Sequence, residues 1–527
     1  MRNKKLQVWL PLLFAVVLIG GMYFGFRLRE TTPSVSGFLK RDKRSSLQEI
    51  MDVVKTNYVD TVRTDSMQYD AIQEMINHLD PHSVYIPSSN LQQVNEEIAG
   101  NFEGIGIEFN IFFDTIHVLY VLPGGPSDKA GLHVGDRILR IDSTEVAGKN
   151  MLGDQVRKMV RGEGGTSVKV QVLRGNNKQE MTITRGRIPV PAVDAAYLLA
   201  DSVGYIKLNK FSESSYREFM QALESLQKKG LKKLVFDLRD NGGGLLDQAV
   251  NIVDEFLDGE KLIVYTEGTH SKRRDYKCRR NGLFETGELV ILINELSASA
   301  SEVVAGALQD WDRAKIIGRR SFGKGLVQEQ FPLSDGSALR LTIARYYTPA
   351  GRSIQRPYEN GRKEYIEEIW ERYGNGEMLS ADSNKIANGK TYKTIVKKRP
   401  VYGGGGIMPD LFVAIDTSHI AGNVADFLYD IQFSSFVYNY YIQNRQQIDQ
   451  FPSPEAFRKG FKTPNQLWKD LVIEAAKDTL DLNKVTAHDK EAVLKRFTAS
   501  LARYKWRNTG FYEVINGTDP VVQAAMK

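Results

Sequence analysis

A chain of 527 residues that is 42% hydrophobic and 25% charged carries enough apolar material for several cores, which excludes a disordered polymer. Its formal charge of +6 is small for that length, and the densest basic patch, Lys272–Arg280, contains no nucleic-acid motif and reads as a solvated loop. With Cys278 as the only cysteine, no internal disulfide can form.

The chain opens on Arg2, Lys4 and Lys5 and continues with an uncharged run from Val8 to Phe26, 19 residues, enough to cross about 30 Å of hydrocarbon as a helix. No small-x-small cleavage pattern follows, so a retained single-pass membrane anchor over residues 1–30 is expected in preference to a cleaved signal peptide. Arg27, Arg29, Lys40, Arg41, Lys43 and Arg44 lie just beyond it, and by the positive-inside rule they do not favour export of the C-terminal side. Residues 31–100 read as a helical segment, with Leu47, Ile50, Val53 and Val54 on one face that would pair subunits into a homodimer or pack on the core. His78 and His82 stand four apart, but Pro81 between them argues against a shared helical face, so a structural role is expected rather than a metal site.

Residues 101–186 contain Phe102-Glu103-Gly104-Ile105-Gly106-Ile107, then Pro126–Leu132 and Val134–Leu139. Further on, Leu234–Asp237 reads as a buried strand that breaks into Asn241-Gly242-Gly243-Gly244 and then a helix from about Leu246 to Leu257. Val290–Ile293 is a continuous β-branched and leucine run, and Val303, Val304, Ala307, Leu308 and Trp311 follow at helical spacing. Between them lies Asn294-Glu295-Leu296-Ser297-Ala298-Ser299-Ala300-Ser301-Glu302, so three serines sit on a strand-to-helix turn. An apolar strand over Ala314–Gly318, the segment Gly323-Lys324-Gly325 and a second strand over Leu326–Leu333 come next. The alternation of strands and helices over residues 195–357 describes a layered α/β domain. Residues 359–398 read as a polar insertion, Gly403–Asp410 returns to the core, and from 417 onward the pattern is mainly helical, with Val424, Phe427, Leu428 and Ile431 spaced to share an apolar face.

Serine is a weak nucleophile that needs a base, and the base near this turn that the sequence offers is a lysine. An ordinary lysine pKa of ~10.4 must fall by roughly three units to leave a useful neutral fraction at pH 7, a destabilisation of the ammonium by about 4 kcal/mol that burial supplies best. A nucleophile on the turn also lies at the positive end of the helix dipole, near free backbone N–H groups for an oxyanion. Read locally, however, Ser299-Ala300-Ser301-Glu302 fits a capping box, and capping is the simpler role for Ser299.

Two rival motifs fail on chemistry. Gly318–Lys324 has the spacing of a phosphate-binding loop, yet Gly325 replaces the hydroxyl residue that a metal requires and a strand follows in place of a helix. Ser321-Phe322-Gly323-Lys324 matches the Ser-x-x-Lys pattern of penicillin-binding proteins, but the flanking glycines oppose a helix and no Lys-Thr-Gly segment occurs.

The serine and lysine segments together, with the Leu234–Gly244 and Gly403–Asp410 stretches, resemble the carboxyl-terminal processing, or tail-specific, serine proteases. The resemblance implies Ser299 as nucleophile, Lys324 as general base, Gln328 as the residue that holds the lysine amine, and the amides of Gly243 and Ala300 as the oxyanion hole. Residues 101–186 resemble a bacterial PDZ domain, which implies capture of a polypeptide C-terminal carboxylate by Gly104, Ile105, Gly106 and Ile107 while the peptide adds a strand to the domain edge. The expected fold is therefore multi-domain α/β: an N-terminal membrane anchor (1–30), a helical segment (31–100), the PDZ domain (101–186), a crotonase/ClpP-like serine protease core (187–416, with the insertion 359–398) and a helical C-terminal region (417–527). The expected activity is that of a membrane-anchored serine endopeptidase facing the periplasm or cell exterior. It needs no metal, nucleotide or other cofactor. A catalytically inactive PDZ scaffold is the alternative.

Overall fold

The computed structural model describes residues 4–31, 46–380, 390–415, 421–477 and 480–527. The chain divides into two units, Met1–Ile76 and Asn77–Lys527. In the first, helix Lys4–Thr31 contains the uncharged run Val8–Phe26, and helix Ser46–Asn57 leaves Leu47, Ile50 and Val53 exposed. Among the described residues no helix is long and apolar enough to cross a membrane, so the fold does not establish the anchor. Arg2 and the basic cluster Lys40, Arg41, Lys43 and Arg44 lie outside the described residues.

In the second unit, alternation in sequence becomes alternation in burial. Along strand Ser167–Arg174, Val168, Val170 and Val172 point inward while Ser167 and Lys169 face water, as a half-buried antiparallel sheet requires. That strand belongs to a sheet that includes Ile107–Phe112, Thr115–Val121, Arg137–Ile141 and Asn177–Thr184, covered by helix Gly153–Val160. The short pair Asn101–Gly104 and Gly186–Pro189 brings the entry and exit of this domain side by side.

The following domain is built on a six-stranded sheet in the order Val193–Ala200, Val203–Leu208, Lys233–Asp237, Glu288–Ile293, Lys315–Gly318, Leu411–Phe412. The first pair is antiparallel and the remaining pairs are parallel. Its central strands, Lys233–Asp237 and Glu288–Ile293, are buried on both faces. Phe219, Val253 and Val304, from three successive helices, share the core with Phe236 and Ile291 on one side. On the other, Tyr205, Val235 and Leu292 pack against Val521, Val522 and Ala525 of the last helix, Pro520–Met526. The chain's final residues therefore complete the core of the domain that carries the serines.

A second, five-stranded sheet contains Leu262–Glu267, Leu326–Pro332 and Ala338–Tyr347. Two expectations change here. Within the segment read as mainly helical, Val84–Ile86 forms a strand that pairs with Ala338–Tyr347. Within the basic patch read as a loop, Arg274–Lys277 is an edge strand beside Leu262–Glu267, where exposed charges protect the sheet margin.

The insertion is also more ordered than its polarity implied. It forms helix Arg362–Gly374, with Tyr365 and Arg372 buried, while residues 381–389 lie outside the described residues. The C-terminal helices have a core of their own, including Val424, Phe427, Phe433, Phe457 and Phe497. Ile431 does not share the face of Val424, Phe427 and Leu428. Asp430 accepts from the Gln432 N–H at 2.7 Å and caps a new helix there, which leaves Ile431 exposed.

Candidate active site

The parallel strands Lys233–Asp237 and Glu288–Ile293 end together, and each runs on into a turn. After the first, Gly243 and Gly244 adopt φ of 95° and 145°. A Cβ on Gly243 would lie 2.7 Å from the Ala298 carbonyl and 2.9 Å from the Ala300 nitrogen, so only glycine allows the two turns to touch. The first turn is tethered below: Asp237 accepts from the Tyr205 hydroxyl at 2.7 Å and pairs with Arg239, which also reaches Asp519 at 2.9 Å. Burial alone would raise the Asp237 pKa, but Arg239 and Lys207 bring it well below the usual carboxylate range.

On the second turn the three serines separate by their hydrogen bonds. Ser297 is fully buried, accepts from the Asn294 N–H at 2.9 Å and donates to the Leu238 carbonyl at 2.8 Å. Ser301 is fully buried and donates to the Asn241 carbonyl at 2.9 Å. Ser299 is different. It caps helix Ala300–Asp310 from φ 55°, ψ −112°, a rarely populated conformation for a residue with a side chain, and makes no side-chain cap bond. The expected capping box survives in its carboxylate half, Glu302 accepting from the Ser299 N–H at 2.8 Å.

Glu302 does more than close that turn. Fully buried, it also accepts from the Ser321 hydroxyl at 2.5 Å, the Gly323 N–H at 2.7 Å and the Lys324 N–H at 2.8 Å, so one carboxylate bolts the serine turn to the lysine loop. Burial raises its pKa and these donors act against the rise. The Tyr346 hydroxyl reaches the carbonyls of both Ser299 and Lys324, serving one at a time with its single proton.

Lys324 Nζ donates to Gln328 Oε1 at 3.1 Å. Gln328 in turn donates through Nε2 to the carbonyl of His82, which fixes the amide with its oxygen toward the lysine. The Lys324 pKa lies below the usual 10.5, chiefly because burial penalises the ammonium and further because the Arg340 guanidinium repels it; Asp80 and Glu302 pull the other way. The sequence placed no histidine beside the serine, and the fold brings His82 into the neighbourhood of Lys324. Burial first, then the Lys324 charge, pushes the His82 pKa down to about 3, and its Nε2 lies 2.9 Å from the Tyr365 hydroxyl, so the ring is neutral and engaged.

Ser299, Ala300, Gly243, Lys324 and Gln328 line one cavity of about 500 Å³. Among the described residues Ser299 and Lys324 make no hydrogen bond to each other. The Gly243 N–H donates to Asn241 Oδ1 at 2.9 Å, so of the two expected oxyanion donors only Ala300 lacks a partner among the described residues. Gly104, Ile105, Gly106 and Ile107 line a separate groove of about 340 Å³ with helix residues Arg157 and Val160. The insertion supports the lysine loop, Arg372 donating to the Ser321 carbonyl at 2.9 Å and Glu377 accepting from Arg320 Nε at 2.6 Å. Glu302 was visible in sequence only as a cap. The contributions of Tyr346, His82 and Arg372 depend on contacts between distant segments and left no local signal.

Residues 202–360 match peptidase family S41, residues 103–184 match the PDZ domain, and residues 431–507 match a family of unknown function. A CtpA-like serine protease of Staphylococcus haemolyticus is 34% identical over 361 residues, covering 67% of this chain and 72% of the relative. A carboxy-terminal-processing protease of Bartonella bacilliformis is 40% identical over 317 residues, covering 58% and 71%. Among solved structures, the photosystem II D1 C-terminal processing protease is 33% identical, with a TM-score of 0.35, covering 60% of this chain and 85% of its own. By these relationships the chain belongs to peptidase family S41, a serine protease with a PDZ domain ahead of its peptidase domain.

Proposed function

We propose that the chain is a membrane-anchored serine endopeptidase that holds polypeptides by their C-termini in the PDZ groove and cleaves them by an acyl-enzyme route run by Ser299 and Lys324. One observation carries this reading: Ser297 and Ser301 are buried and hydrogen-bonded, while Ser299 faces the cavity it shares with a lysine whose charged form is disfavoured. Ser299 Oγ adds to the scissile carbonyl carbon as its proton passes to neutral Lys324. Collapse of the tetrahedral intermediate breaks the C–N bond, and the amine departs with that proton. Water then attacks the acyl ester, returns a proton through Lys324, and releases the carboxylate product and Ser299.

The oxyanion is stabilised by the Ala300 N–H and by the Gly243 N–H once that amide exchanges Asn241 for the ligand. Gln328 keeps the lysine amine aimed into the cavity. Intact nucleophile, base and holder residues weigh against an inactive PDZ scaffold. The test is hydrolysis of an unfolded protein by the detergent-solubilised chain: Ser299→Ala is expected to abolish cleavage while Ser297→Ala and Ser301→Ala retain it, and undiminished cleavage by Ser299→Ala refutes the assignment.

Anchoring rests on the uncharged run Val8–Phe26, whose described apolar side chains, Leu13, Phe14, Val16 and Ile19 among them, are exposed around the helix. The proposal assigns the body to the periplasm or cell exterior on the analogy of bacterial processing proteases and against the basic flank that follows. Reporter fusions at the C-terminus decide the orientation. The exposed Leu47, Ile50 and Val53 face is assigned to a homodimer contact, and a monomeric mass for the solubilised protein rules that out.

A further inference from the structure

The long helix Ala487–Ile515 breaks its own backbone at Trp506 and Arg507, with Arg507 at φ 58°, ψ −150°. Two guanidiniums from this helix meet one PDZ residue. Arg507 grips Glu108 through both terminal nitrogens, one at 3.0 Å, and stacks 3.8 Å from the Tyr120 ring centre. Arg503 approaches Glu108 Oε2 only to 3.5 Å, and its Nε is anchored on Asn508 Oδ1 at 3.1 Å. Arg503 also lines the groove of about 340 Å³ beside Gly104–Ile107. A side chain from outside the PDZ domain thus forms part of the PDZ groove.

Strand geometry says what Arg503 faces. Ile107 and Phe109 pack on the domain core, so Glu108 between them points to the opposite face, where its cross-strand partner Tyr120 and the two arginines lie. A peptide added antiparallel to Ile107–Phe112 with its carboxylate on the Gly104–Ile107 loop alternates in the same way. Its last and third-last side chains turn toward the core side, and its second and fourth from the end turn toward the Glu108 face. There two guanidiniums share one carboxylate, which leaves a net positive charge, and Arg503 is the less committed of the pair. On the other wall the charged residues Arg157 and Arg161 have the same sign.

We infer that Arg503 is a specificity-determining residue, supplied by the C-terminal helices, that favours an acidic side chain at the second or fourth position from the substrate's C-terminus. The inference rests on the proposal that the groove binds C-termini. Its test is fluorescence polarisation with the full-length solubilised protein carrying Ser299→Ala, to prevent turnover, and labelled decapeptides differing only at those positions as Glu, Gln or Lys. The Glu peptide is expected to bind about fivefold tighter than the Gln peptide at one of the two positions, an advantage that shrinks as salt rises. Arg503→Gln is expected to bring the two within about twofold, and Arg503→Lys to retain the preference. Equal binding of Glu and Gln peptides at both positions, a preference for Lys, or discrimination that survives Arg503→Gln overturns the inference. An amidated C-terminus separates the two levels: if amidation leaves affinity unchanged, the C-terminal reading fails and this inference with it, whereas loss on amidation with no Glu preference removes the Arg503 role alone.

Discussion

The cavity lined by Ser299 and Lys324 and the PDZ groove handle charge in opposite ways. In the cavity, Lys324 and Glu302 are withdrawn from water, and the protein uses burial to change what they are: an amine pushed toward neutrality and a carboxylate saturated with donors. In the groove, Arg157 and Arg503 remain substantially exposed, where a charge costs little. On the function proposed above, burial serves reaction and exposure serves recognition. The first kind of site fails abruptly when one partner is lost, and the second changes by degrees.

The sharpest break in that comparison is Ser299→Ala, expected to lower kcat roughly 10⁴-fold or more in a peptidase assay, with the fold intact by circular dichroism. Next is Glu302→Ala. Removing a buried carboxylate leaves the Ser299, Gly323 and Lys324 amides and the Ser321 hydroxyl without an acceptor, and a loss of about 3–5 kcal/mol in denaturant unfolding is expected together with loss of activity. Arg372→Ala, which removes the insertion's grip on the Ser321 carbonyl, is expected to cost about 1–3 kcal/mol and to lower kcat more than it raises KM.

The smallest effect has the opposite sign. A lysine whose folded pKa is depressed releases its proton on folding in the window between that pKa and 10.5, so folding is penalised below the window and recovers as pH rises through it. Lys324→Met removes the penalty. The variant is expected to melt a few degrees higher than the parent at pH 7, with the difference shrinking as the pH approaches 10.5. An unchanged or lower Tm at pH 7 shows that Lys324 is not held at a cost.

Much of the cavity was legible in sequence because its signals are local. The apolar runs Leu234–Asp237 and Val290–Ile293 became adjacent parallel strands, and among the glycines after the first, Gly243 sits where the close approach requires one. The family resemblance singled out Ser299, but the residues alone did not show which serine faces the cavity, since that depends on the Leu238 and Asn241 carbonyls that occupy its two neighbours. The strand Val84–Ile86 was hidden because three residues are too few to show a period, and their partner lies over 250 residues away. The insertion helix was obscured by polarity: Arg372 is buried because Glu368 and two backbone carbonyls satisfy it, a pattern that composition reads as solvent-exposed. The C-terminal helices announced an apolar face, but nothing in their sequence pointed to the PDZ domain or to the underside of the peptidase sheet.

The claim on which the account depends is that Ser299 is activated by an uncharged Lys324. Its most direct test is the rate of labelling by a fluorophosphonate probe as a function of pH, with the adduct mapped by mass spectrometry. The account predicts a single adduct at Ser299, labelling that rises to a plateau with a midpoint below 10.5, and loss of that labelling in Lys324→Met. An adduct at Ser297 or Ser301, or an unchanged rate and pH profile in Lys324→Met, would contradict it.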